Sequence, residues 1–212
     1  MRYTDNRKDI PVITISLIVI NTVIFLIETA SGGTEDTNIA VKFGALYTPY
    51  VVEKNEWWRL LTAEFVHFGT SHLLSNMISL YFLGQIIEPY YCKVHFLLLY
   101  LLSGIGGNVL ALFLDLKKTE PPVSAGASGA IFGCMAVFIV FALDPMLRGR
   151  FPLKRVLAGI VFALLPGFAV QEIGISAHIG GFLTGLILAF ALKPGRRIKK
   201  DDKHKIVKFK TK

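Results

Sequence analysis

Residues 124–143 read Ser-Ala-Gly-Ala-Ser-Gly-Ala-Ile-Phe-Gly-Cys-Met-Ala-Val-Phe-Ile-Val-Phe-Ala-Leu, twenty positions without one charge. Such a run is long enough to cross a hydrocarbon core of about 30 Å as a helix rising about 1.5 Å per residue. Its first ten residues, Ser124 to Gly133, are almost all small, so a neighbouring helix can approach their backbone closely. Among them Ser128 carries its hydroxyl between two small residues, Ala127 and Gly129. Gly129 and Gly133 are at a spacing that membrane helices also use for packing alone, so the stretch by itself leaves two readings open. Ser128 is either part of a tight helix contact or a nucleophile.

Five further apolar runs flank this one, at about 10–27, 72–87, 94–114, 153–170 and 173–192, with the central run taken from Val123 to Leu143. The second is short and unusually polar, and the fifth carries Pro166 near its end. With 53% hydrophobic and 18% charged residues in 212, the composition is that of a polytopic membrane protein and not of a soluble globule. The expected fold is all-α, a membrane bundle of six transmembrane helices. A basic leader (1–9) precedes the membrane domain (10–192) and a basic tail (193–212) follows it. On this count the chain has no room for a separate soluble domain, and the first run is a retained span and not a cleaved signal.

Eighteen of the 23 Lys and Arg residues fall in the leader, the connections after spans two and four, and the tail. That asymmetry places both termini in the cytoplasm. The net charge of +8 sits at the ends and in short connections, which excludes a nucleic-acid groove and points to anionic lipid at the tail. Cys92 and Cys134 form no disulfide framework. The long connection between spans one and two mixes Tyr47, Tyr50, Trp57 and Trp58 with charges, a composition suited to the outer membrane interface.

Polar side chains inside spans are costly and by default mark a functional interior. They gather in spans two, four and six. His72 and Asn76 are four apart on one helical face, and His178 shares a face with Gly181 and Gly185. With the orientation above, His72, Ser128 and His178 each lie about one turn, roughly 5 to 8 Å, below the outer boundary. A neutral His178 can then take the Ser128 proton. No Asp or Glu lies within a span at this level, so a Ser128–His178 dyad is expected and not a triad. Phe132, one turn after Ser128, is placed to stack on the imidazole. Backbone N–H groups at the start of span four, with His72 and Asn76, would meet an oxyanion. No His-Glu-x-x-His motif is present, and no metal or other cofactor is expected. A transporter would use the same polar groups as a relay, but no repeat between halves is evident.

Taken together, Gly126-Ala-Ser-Gly129, Ala177-His-Ile-Gly-Gly181 with Gly185, His67 through His72 to Asn76, Trp58-Arg59, and Glu88 after Gly84 resemble the rhomboid family of intramembrane serine proteases. The resemblance covers nearly the whole chain. It implies a helical bundle with a cavity open to the outer face, Ser128 and His178 as the dyad, and oxyanion donors at the Ser128 N–H, His72 and Asn76. Gly126, Gly129, Phe132 and Gly181 would support them. It also implies cleavage of membrane proteins in or beside their transmembrane segments, and makes Glu88 a structural carboxylate. Phe132 stands where many relatives have Tyr. The chain matches a minimal six-span form, expected as a multi-pass protein of a prokaryotic plasma membrane. A rhomboid-like protein that binds clients without cutting them is the alternative. Substrate identity and oligomeric state stay open.

Overall fold

The computed structural model describes residues 10–169, 174–192 and 194. Both basic termini therefore lie outside the described residues. Six helices correspond to the six expected spans: α1 (Val12–Ala30), α5 (Gly69–Ile87), α6 (Lys93–Asp115), α7 (Ser128–Leu143), α8 (Leu153–Ala169) and α9 (Ile175–Leu192). Three short helices, α2 (Thr37–Phe43), α3 (Thr48–Glu53) and α4 (Arg59–Thr62), lie in the long first connection. Among the described residues, α1, α6 and α9 are the helices long and apolar enough to cross a membrane by length and composition. α7 has sixteen residues and α5 carries more polar side chains.

The arrangement of side chains follows from having lipid as solvent. Large apolar residues such as Val19, Leu26, Phe82, Phe113, Phe162 and Ile187 are exposed, while Asn21, Glu64, His67, Asn76, Ser103 and His178 are buried. Apolar residues gain nothing by leaving hydrocarbon, so polar groups and close backbone packing define the interior.

Packing is tightest among α6, α7 and α9, because glycines face one another there. A Cβ on Gly181 would overlap the backbone of Gly129, and one on Gly185 would overlap that of Gly133. Each helix thus offers a pair of glycines four residues apart to the other. The third helix is fitted in by the same means. Gly107 of α6 lies against the Ala177 carbonyl, and Gly106 against Thr184.

Two polar anchors hold the remaining helices and the first connection. At the end of α5 the Glu88 carboxylate accepts from the backbone N–H groups of Ile13 and Thr14, each at 2.9 Å, and from the Thr14 hydroxyl at 2.7 Å. These are orphan donors of the first turn of α1, so one carboxylate caps α1 and ties it to α5. Arg59, only 4% exposed, donates to the carbonyls of Val41 and Ala45 and pairs with Glu56 at 2.6 Å. Trp58 lies 4.5 Å from its guanidinium. One side chain therefore closes the connection on itself.

Two expected boundaries are corrected. The second span begins at Gly69 and not at His72, entering through a φ of +74° that only glycine adopts easily. The fourth helix begins at Ser128 and not at Val123. Residues 123–127 instead run as extended or irregular chain, with Ser124 bridged to Leu46. In the fifth span, α8 continues through Pro166 to Ala169.

The glycine contacts yield a contrast in stability. Gly181→Val should lower the thermal stability of the detergent-solubilised protein by about 1 to 3 kcal/mol through overpacking. Gly159 in α8 has no atom within 4 Å of its missing Cβ, so Gly159→Ala should raise stability by up to about 1 kcal/mol. Equal melting shifts in the two variants would contradict the packing description.

Candidate active site

The sixteen residues of α7 span only about 24 Å, roughly 6 Å less than the hydrocarbon core. A helix of that length falls short of spanning the core, and Ser128 is its N-terminal residue. His72 and His178 each sit one turn into their helices, whereas Ser128 is the first residue of its own.

Irregular backbone at membrane depth must find its hydrogen bonds within the protein. The segment before Ser128 finds them in the first connection. Ser124 and Leu46 exchange both backbone bonds, at 2.8 and 2.9 Å, and the Gly126 N–H donates to the Ala63 carbonyl at 2.8 Å. The Ala127 N–H donates to Nε2 of His67 at 3.4 Å. His67 is fully buried, and burial, with His72 beside it, depresses its pKa to about 3. It remains the neutral ring that this acceptor role requires.

Gly126 adopts φ +128°, and a Cβ there would press on the His72 ring at 2.7 Å and come within 3.6 Å of Asn76 Nδ2. The absence of a side chain thus lets His72 and Asn76 approach the chain two residues before the serine. Asn76 is buried and its Nδ2 has no hydrogen-bond partner among the described residues. An unpartnered amide donor beside a helix start is a ready site for an oxygen bearing negative charge. The Ser128 N–H adds a second donor, being one of the first-turn groups with no partner inside the helix.

His178 completes the cluster. Its Nε2 lies 2.9 Å from Ser128 Oγ, and Phe132 stacks on its ring at a centroid distance of 4.3 Å and an angle of 23°. Its Nδ1 is buried without a partner among the described residues, so no carboxylate contacts it there. All the sequence-derived candidates meet in one place. Ser128, His178, His72 and Asn76 converge around Gly126, with Gly129 and Gly181 at the helix contact just below.

A family model for the rhomboid domain matches residues 54–195. The chain belongs to the rhomboid family. It is 36% identical to the rhomboid protease GluP of Bacillus subtilis over 86% of this chain and 35% of that protein. It is 37% identical to RHOMBOID-like protein 2 of Arabidopsis thaliana over 71% of this chain and 47% of the relative. RHOMBOID-like protein 1 of the same plant is 35% identical over 70% and 38% respectively. The chain thus spans about a third to a half of the length of these rhomboid relatives.

Two buried groups have partners that local spacing does not reveal. His67 opens the motif that runs through His72 to Asn76, but its bond to a backbone N–H sixty residues away leaves no local signal. Glu64, 1% exposed and packed against Gly104 of α6, has both carboxyl oxygens without partners among the described residues. Burial raises its pKa well above the ordinary carboxyl range, so the fold holds it protonated.

The two groups couple to pH with opposite signs. The unfolded chain protonates His67 near pH 6.5 while the fold resists to about 3, so this stability is present above 6.5 and is lost progressively as pH falls toward 3. Glu64 is the reverse: its contribution is present below about pH 4.5 and is lost as pH rises. Glu64→Gln should therefore raise the melting temperature at pH 8 and change it little at pH 4. His67→Gln should flatten the fall in melting temperature between pH 6.5 and 4. Unchanged profiles would contradict these assignments.

Proposed function

We propose that this rhomboid-family chain is an intramembrane serine endopeptidase that cleaves other membrane proteins within or beside their transmembrane segments. The observation that carries the proposal is the 2.9 Å approach of Ser128 Oγ to His178 Nε2, with an Asn76 amide that has no partner among the described residues beside the same helix start. The names of rhomboid relatives that are proteases support it.

In this reading Nδ1 of the neutral His178 carries the ring proton, and Nε2 accepts from the Ser128 hydroxyl. Oγ attacks the scissile carbonyl carbon as its proton passes to Nε2. The carbonyl oxygen takes the negative charge and receives hydrogen bonds from the Ser128 N–H, Asn76 Nδ2 and His72. When the tetrahedral species collapses, the C–N bond breaks and the imidazolium returns its proton to the leaving amine. Water then attacks the Ser128 ester, losing its proton to the same Nε2; the C–Oγ bond breaks, the imidazolium returns the proton to Oγ, and the acid leaves. Phe132 keeps the imidazole in plane throughout. With no carboxylate on Nδ1 among the described residues, ring orientation there falls to this stacking and to the glycine contact below it.

The positive charge of the leader, the connection after α7 and the tail places both termini in the cytoplasm and opens the site to the outer face, as in a prokaryotic plasma membrane. The basic tail would rest on anionic lipid. A client-binding role without cleavage is disfavoured, since it gives no reason for the Ser128–His178 approach.

Reconstituted with a model single-span substrate, Ser128→Ala and His178→Ala should abolish cleavage without loss of melting temperature. Asn76→Ala should lower kcat by about one to three powers of ten. Activity should fall as the medium becomes acidic enough to protonate His178. Turnover retained in either alanine variant of the pair, or an unchanged rate for Asn76→Ala, would overturn the corresponding role.

A further inference from the structure

The opposite end of α7 carries a second recess. Between α5, α7, α8 and the connection 144–152 lies a cavity of about 290 Å³, open along one side. It is reached ten residues, or about 15 Å, along α7 from Ser128, so it is separate from the candidate active site. Leu83, Phe138, Val156 and Ile160 make it apolar, and Arg150 and Arg155 bring two guanidinium groups to it.

The recess is built from an anchored connection. Asp144 Oδ1 accepts from the Met146 N–H at 2.7 Å, Leu147 is buried, and the Phe151 ring packs on Phe138 and Phe141 at 5.4 and 5.2 Å. The Arg150 guanidinium lies 5.5 Å over Phe151, which fixes its side of the opening. Among the described residues neither Arg150 nor Arg155 is paired with a carboxylate; the ion pairs there are Arg59–Glu56 and Lys118–Asp115.

Gly159 supplies an independent observation. It sits within α8, where glycine weakens a helix, yet no neighbour approaches the position of its missing Cβ. Unlike Gly181 and Gly185, it has no packing partner that requires it. Its effect is to leave the cavity open.

We propose that this recess binds one anionic diacyl phospholipid from the leaflet opposite the Ser128 end. An acyl chain lies in the apolar crevice between α5 and α8, and the phosphate is held by Arg150 and Arg155. Two guanidiniums at the junction of an apolar crevice and a basic connection suit a phosphodiester, which accepts paired N–H donors. Basic pockets between membrane helices take anionic headgroups by this logic. A zwitterionic lipid would bring its own ammonium toward two guanidiniums, so net negative charge is the distinguishing feature. The inference rests on membrane embedding alone and is independent of peptidase activity.

The full chain, delipidated in detergent, is titrated with phosphatidylglycerol or with phosphatidylcholine of the same chains, and bound lipid is read by native mass spectrometry alongside the melting temperature. One phosphatidylglycerol should be retained, with about tenfold or greater preference over phosphatidylcholine and a raised melting temperature. Arg150→Gln with Arg155→Gln should remove the preference. Gly159→Phe should reduce retention of both lipids by filling the crevice. Arg148→Gln, in the same connection but outside the cavity, should leave retention unchanged, which also reports on the fold of exposed-charge variants. Equal binding of the two lipids, undiminished preference in the double variant, an equal loss with Arg148→Gln, or displacement by inorganic phosphate as effective as by lipid would each overturn the proposal.

Discussion

Backbone contact between α7 and α9 is the constraint on which the rest of the molecule depends. Gly129 meets Gly181 and Gly133 meets Gly185 with no room for a methyl group between them. Two contacts one turn apart fix both the separation of the helices and their register. Ser128 immediately precedes the first contact on one helix, and His178 lies three residues before it on the other. Their 2.9 Å approach is therefore set by packing that neither side chain makes itself. In hydrocarbon, where apolar surfaces have little reason to leave lipid for one another, such close packing is the available source of rigidity.

The second constraint is depth. A sixteen-residue α7 is too short to span a hydrocarbon core of about 30 Å, and the chain before Ser128 is irregular; within a membrane an unmet backbone group there would be costly. The first connection answers that need with Leu46, Ala63 and His67, and is itself held by Arg59 on the carbonyls of Val41 and Ala45. Gly126 lets the same segment lie against His72 and Asn76. Closing the backbone of the short helix and gathering polar side chains around its start are thus one structural event. Glu88 does comparable service at the other end, joining α5 to the start of α1.

Much of this was legible in the sequence because it is written in local spacing. Gly129 with Gly133, Gly181 with Gly185, and His72 with Asn76 each declare a helical face, and Phe132 follows Ser128 by one turn onto the ring it stacks against. What escaped depends on contacts between distant backbones. Val123 to Ala127 has the composition of a helix start, and only its pairing with Leu46 and Ala63 makes it extended. The same holds for the partners of two motif residues, the backbone N–H that His67 accepts from and the carbonyls that Arg59 donates to, and for Gly106 and Gly107, whose close neighbours lie on α9. The resemblance recovered from residues 126–129 and 177–181 agrees with a family match over 54–195, while the structure supplies the reason those glycines stand there.

Whether Ser128 is an activated hydroxyl is tested, without a known substrate, by labelling the purified protein with a fluorophosphonate serine probe. The wild-type chain should label, and the labelling should disappear in both Ser128→Ala and His178→Ala. Failure of the folded wild-type chain to label, with a smaller probe showing that the cavity is accessible, or labelling that persists without His178, would contradict that activation.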